Sequence, residues 1–247
     1  MTTANALDQV RLLDVQALDT RLNQIDHRRR NLPEHAQLTE AQRRADSVRD
    51  QLIAAQTEAG DITRELAKAE ADVELVRQRA ARNQSRLDAG AGSAKDMQAL
   101  QHELESLARR QSDLEDVELE VMERSELAQA TVARLEAEQR EVTEAVEKLT
   151  QARDAAVSEL DAEAERVRAE REEIASGLDQ GLMALYEKVR EASGGVGAAA
   201  LKGGRCEGCR LQLTPIDLNR IRAASPDEIV RCEECRRILV RTPDSGL

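Results

Sequence analysis

Leu38, Ala45, Leu52, Ala59, Leu66, Val73, Ala80 and Leu87 stand seven residues apart, and Ala41, Val48, Ala55, Ile62, Ala69, Val76 and Asn83 form a second series between them. Alternating steps of three and four put both series on one side of an α-helix, as the seam of a coiled coil requires. Only Asn83 among these positions is polar. A second seven-residue series runs through Leu100, Leu107, Leu114, Val121, Ala128, Leu135, Val142, Leu149 and Ala156. Its companion positions are mixed, with Gln111, Glu118, Ser125, Gln139 and Arg153 among Leu104, Val132, Val146, Leu160, Val167 and Ile174. The seam is therefore weaker from Gln111 to Ser125, where packing loosens or a partner enters.

Between the two runs lies LDAGAGSAKDMQAL. Gly90 and Gly92 suit the left-handed backbone that ends a helix. Ser93 suits the cap of the next helix, with Asp96 three residues on in a capping-box arrangement. The pattern predicts an antiparallel hairpin with its tip near 88–96, presenting Lys95, Asp96, Met97 and Gln98. Folding there brings position i to roughly position 187 − i, so Leu38 faces Leu149, along an arm of about 75 Å. Val15, Leu18, Leu22 and Ile25, at helical spacing, are expected to pair with residues near 160–180. Pro33 breaks or kinks the helix, and His27–Arg30 before it suits a helix C-terminus. Gly177 and Gly181 mark a bend in the second arm. The glycine-rich stretch 193–204 is expected to be a linker, which divides the chain into a coiled-coil hairpin over 1–192 and a small domain over 205–247.

Composition sharpens that picture. The chain has 247 residues, 34% of them charged, with one Tyr and no Phe or Trp. Without large rings a single thick core is not expected, whereas a thin helical protein buries only a narrow seam per residue. The net charge of −12 is uneven: residues 1–197 carry 27 Lys or Arg against 41 Asp or Glu, and residues 198–247 carry 9 against 7. The acidic part repels nucleic acid and anionic membrane; the C-terminal part need not. No run approaches a membrane span, and the N-terminal residues lack the basic and apolar regions of a signal peptide. A cytoplasmic protein with reduced thiols is expected.

All four cysteines lie near the C-terminus, as Cys206-x-x-Cys209 and Cys232-x-x-Cys235. Each pair turns two sulfurs toward one point, and two such turns form a four-thiolate cage of the kind structural zinc takes. A rubredoxin-like iron site fits the same ligands. A redox pair needs only one C-x-x-C and a βαβ context not seen here. The intervening TPIDLNRIRAA reads as a short helix capped by Thr214 with Pro215 at its first position, and EIVRC and RRILVR read as strands. A domain this small without rings cannot fold on burial alone, so one structural zinc ion is expected to supply much of its stability.

These features resemble a bacterial family of coiled-coil proteins ending in a four-cysteine zinc ribbon. Its best-known members are chaperone-like or adaptor proteins in flagellar assembly that bind a sigma factor or export components. The resemblance rests on SAKDMQALQHELESLARR after the tip, the two C-x-x-C pairs and the terminal CEECRRILV, and it covers nearly the whole chain. It implies zinc on Cys206, Cys209, Cys232 and Cys235, and a family-typical patch from Lys95 to Leu100 with Glu103. Two positions depart from the family: Arg236 stands where Gly usually follows the last cysteine, and Met97 where the tip usually carries an aromatic residue.

The fold class expected is therefore mostly α, a long antiparallel coiled-coil hairpin with a C-terminal zinc ribbon, as a monomer or homodimer. The expected function is a non-enzymatic adaptor or chaperone-like scaffold docking a protein partner through ribbon and hairpin. The alternative is nucleic-acid binding through Arg205, Arg210, Arg220, Arg222, Arg231, Arg236, Arg237 and Arg241. Against it stand the −2 charge of a zinc tetrathiolate and the lack of rings for base stacking. No catalytic triad, phosphate-binding loop or open metal position is visible.

Overall fold

A computed structural model describes residues 3–90 and 92–247; Met1, Thr2 and Ala91, the last within the predicted tip, lie outside the described residues. Four helices come first: α1 (Ala6–Arg30), α2 (Pro33–Asp88), α3 (Ala94–Ser176) and α4 (Gln180–Ala192). The C-terminal region adds β1 (Ala198–Lys202), β2 (Arg205–Cys206), α5 (Pro215–Ala223), β3 (Val230–Arg231) and β4 (Ile238–Arg241). The chain forms two compact units, one of Ala36–Thr150 and one of Met1–His35 with Gln151–Leu247.

In the first unit α2 and the start of α3 lie antiparallel. Leu52 and Ala55 cluster with Leu135 and Val132, as a fold at the predicted turn requires. Leu38, Val48, Ile62, Ala69, Val73, Leu100, Val121 and Val142 are buried along the same seam. Even the polar Ser125 points inward, and Gln129 donates to its hydroxyl at 3.3 Å. The helices are laced at the flanks by Arg44–Glu138 (3.0 Å), Arg124–Glu65 (3.0 Å) and Arg77–Glu115 (2.6 Å). Exposed pairs of this kind contribute little each.

In the second unit Ile25 packs on Leu160, Ala164 and Val167, with Leu18 and Leu22 beside them. Of the break or kink expected at Pro33 the structure shows the break: α1 ends at Arg30, and Pro33 opens α2, where proline needs no N–H partner in a first turn. The second arm breaks where Gly177 was expected to bend it, and Asp179 caps α4 by accepting from the Leu182 N–H at 2.8 Å.

The sheet runs β2-β1-β4-β3, with β1 parallel to β4 and the outer pairs antiparallel. Strand alternation divides its side chains between two faces. Ala198, Ile238 and Val240 pack with Leu12, Val15, Leu182 and Tyr186 of the helices. Ala199, Leu201 and Leu239 pack with Cys206, Cys232 and Ile221 on the other side. This corrects the expected linker: part of 193–204 is β1, an inner strand of the sheet. Gly203 and Gly204, both at positive φ, make the two-residue turn into β2. The compact units do not divide at 192 and 205, since α1, α4 and the sheet share one core.

Candidate metal centre

The two C-x-x-C turns repeat one backbone pattern. The Arg210 N–H donates to the Cys206 carbonyl at 2.7 Å, and the Arg236 N–H donates to that of Cys232 at 2.9 Å. The first cysteine of each turn donates its own N–H onward, Cys206 to Leu211 O and Cys232 to Arg237 O, both at 3.0 Å. Closing each turn requires a left-handed residue just after it, and Arg210 (φ 62°) and Arg236 (φ 61°) are the non-glycine residues at positive φ among those described. The departure noted at Arg236 thus has a counterpart at Arg210, and each costs about 1 kcal/mol relative to glycine.

The turns bring all four Sγ atoms within 4.8 Å of one another. Cys206 to Cys235 and Cys209 to Cys232 measure 3.9 Å. A zinc ion bound at about 2.3 Å by four sulfurs in a tetrahedron needs S···S edges of about 3.8 Å. Burial pushes the Cys206 thiol up to about 12 and the Cys232 thiol up as well. Burial also acts upward on Cys235, but hydrogen bonds from the backbone and side chain of Arg237, then from Cys232 and Cys209, bring it down to about 7. A divalent cation reverses the burial penalty by balancing the thiolates. Four sulfurs close the shell, so the ion would order the turns and leave no place for a reacting water.

The arginines around the centre have different fates. Arg237 donates to the carbonyls of Val196 (3.0 Å), Ser193 (3.0 Å) and Gly208 (3.3 Å). Arg241 donates to those of Ala224, Ser225, Pro226 and Glu228 at 2.8 to 3.1 Å. Both were expected to face a partner; their donors are instead engaged by the chain's own backbone. Arg220 (2.5 Å) and Arg236 (3.2 Å) share Glu233, and Arg205 pairs with Glu207 at 2.7 Å. Arg231 donates to the Arg236 carbonyl at 2.7 Å, and Arg222 to Asn219 at 2.9 Å. Arg210 is exposed.

At the predicted tip, Asp96 accepts from the N–H and the hydroxyl of Ser93, both at 2.8 Å, and Ser93 in turn accepts from the Asp96 N–H at 3.3 Å. These bonds, the backbone one foremost, hold the Asp96 carboxyl below the usual carboxylate range. Ser93 therefore caps α3, and Asp96 closes the capping box. Lys95 and Gln98 are exposed, and Met97 is half-buried.

Sequence reasoning missed a buried polar cluster beneath the sheet. The Tyr186 hydroxyl donates to Asp19 Oδ2 at 2.6 Å and to Gln16 Oε1 at 3.2 Å. Gln16 Oε1 also accepts from the N–H of Gly197 (2.7 Å) and of Ala198 (3.2 Å). Arg171 donates to Asp19 Oδ1 at 2.7 Å and pairs with Glu187, which also accepts from Arg190 at 2.8 Å. The Asp19 side chain is 4% exposed. The available signal was the lone Tyr, since a buried phenol needs a partner.

A coiled-coil hairpin and a closed four-thiolate ribbon in one chain define a class, the coiled-coil zinc-ribbon proteins. Residues 15–194 match the CT398-like coiled coil hairpin domain, and residues 205–239 match the C4-type zinc ribbon domain. The chain belongs to the CT398-like coiled-coil hairpin family and holds one structural zinc ion. An uncharacterized protein of Mycobacterium tuberculosis is 37% identical over 238 residues, covering 96% of this chain and 97% of its own length. A solved structure from Mycobacterium smegmatis superposes with a TM-score of 0.86 at 38% identity, covering 97% of this chain and all of that one. The structure of CT398 from Chlamydia trachomatis shares the fold, with a TM-score of 0.67 at 16% identity over 95% of this chain and 98% of that one.

Proposed function

We propose that the protein is a non-enzymatic, cytoplasmic adaptor that docks a protein partner on its zinc-ordered ribbon and its hairpin. One observation carries the reading: Leu211 is 50% and Ile216 80% exposed in the segment between the two cysteine turns. Side chains this apolar are costly to leave in water, and paired with a fixed backbone they suit a protein surface. The ribbon's charges support a protein partner over a nucleic acid, because Arg205, Arg220 and Arg236 have acidic partners and Arg237 and Arg241 are held by backbone. A closed tetrathiolate supports a structural rather than catalytic metal. No described helix is long and apolar enough to cross a membrane.

The test uses the zinc-loaded full chain as bait in native cells, beside a Leu211→Asp/Ile216→Asp variant. The same protein should be retained by the parent chain and lost from the variant, and a low-salt mobility shift with DNA or RNA should be absent. Equal capture by both chains, together with a salt-sensitive shift on nucleic acid, would favour the arginine-based alternative and sink this one.

A further inference from the structure

Arg237 does more than the metal site asks of it. It lies two residues past Cys235, and its guanidinium joins three separate segments through their carbonyls. Nη1 reaches Gly208, between the first two cysteines; Nη2 reaches Ser193, the C-cap of α4; Nε reaches Val196, just before β1. A planar fork with fixed donor directions can hold three such groups in one geometry, which an ammonium on a flexible stem cannot. The first cysteine turn is built tightly against it, because a Cβ on Gly208 would meet Arg237 Cδ at 2.8 Å.

The connection from α4 to β1 depends on side chains for its order. Gly194 and Gly195 both adopt positive φ, and few backbone bonds hold the stretch: the Gly195 N–H donates to Arg190 O at 2.9 Å, and Gly197 O accepts from the Ile238 N–H at 2.9 Å. The amides of Gly197 and Ala198 donate to Gln16 of α1, which in turn meets Tyr186. A continuous series of hydrogen bonds therefore runs from the first cysteine turn through Arg237 to the α4–β1 connection and on to α1.

We infer that Arg237 is a positioning residue that couples metal occupancy at the four cysteines to the order of the α4–β1 connection and, through Gln16, of α1. When the turns are fixed by the metal, the Gly208 carbonyl stays within reach of Nη1, and the other two arms of the fork pin Ser193 and Val196. When the turns relax, the fork loses its anchor and the glycine-rich connection is released. The sheet then loses the inward polar tie that sets α1 against β1.

The test reads hydrogen exchange at the amides of Gly195, Gly197 and Ala198 in the full chain, for the parent, Arg237→Lys and Arg241→Lys. Arg241 is the control, because its donors reach backbone carbonyls of the ribbon, none of them in the first cysteine turn or the α4–β1 connection. In zinc-loaded Arg237→Lys, exchange at these amides should rise about tenfold or more, as expected when local opening loses hydrogen bonds. Its cobalt-substituted form should keep the absorption of a tetrahedral four-thiolate site. Arg241→Lys should leave the same amides near the parent rate, and stripping zinc from the parent with a chelator should reproduce the rise. Unchanged exchange in Arg237→Lys, an equal rise in Arg241→Lys, or amides that stay protected in the stripped parent would each overturn the coupling. So would an Arg237→Lys chain unable to bind cobalt, since the residue would then serve the metal shell alone.

Discussion

At the scale of single residues, the lone tyrosine is both the largest buried side chain and a built-in reporter. Burial, and then its bond to Asp19, raises the Tyr186 phenol well above its ordinary range. A group whose folded value is raised contributes stability that is intact below the unfolded value, about 10 for a phenol, and is lost as pH climbs through the folded one. Because the chain has one Tyr and no Trp, absorbance near 295 nm follows this ring alone. The folded protein should show almost no phenolate at pH 11, whereas the denatured chain should titrate near the ordinary value; coincident curves would place Tyr186 in solvent. Gly208 makes a second residue-scale case. A Cβ there would meet Ala199 Cβ at 2.9 Å as well as Arg237. Gly208→Ala should therefore destabilise the ribbon by about 1–3 kcal/mol, seen as weaker zinc retention against a chelator.

At the scale of elements, the seam exposes one conflict between burial and polarity. Asn83 is buried in the seam, and its amide nitrogen has no well-formed hydrogen bond, its weaker contact being to the Glu103 carboxylate. Removing an unsatisfied buried amide should stabilise, so Asn83→Leu is expected to raise the stability of the hairpin unit by about 1–3 kcal/mol in thermal melts. A polar residue at such a position typically fixes register or chain number at a cost in stability, so light scattering on the same variant should show whether that restriction is relaxed. The helices themselves were legible in the sequence because a repeat sustained over many turns fixes both element and pairing, as Leu52 with Leu135 shows. Strand β1 was not legible. Its Ala198–Ala200 run has weak strand preference and stands between glycines, so its place inside the sheet comes from packing on two faces. The cysteine centre was legible because ligand type and spacing are local. The Gln16–Asp19–Tyr186 cluster was not, since it joins residues about 170 positions apart. The backbone contacts of Arg237 and Arg241 were not legible for the same reason, as composition reports a charge but not whether backbone carbonyls surround it.

At the scale of the whole molecule, metal dependence should be confined to part of the chain. The face of the sheet that packs on Cys206 and Cys232 has small aliphatic side chains and no ring, so it leans on the ion for order. The seam of Ala36–Thr150 has its own core and no metal ligand among the described residues. Chelation should therefore abolish protection of ribbon amides while leaving most far-UV helical signal. Acid should act in the same direction through the thiols. At pH 8 the raised Cys206 and Cys232 still carry protons that zinc must displace, whereas Cys235, near 7, is mostly ionised. Apparent zinc affinity should thus rise with pH, by about a factor of ten per pH unit for each proton displaced. Competition with a chelator of known affinity between pH 7.5 and 8.5 would measure the slope. A flat profile would mean that the sulfurs are already ionised without the metal, and that burial in the ribbon does not oppose their charge.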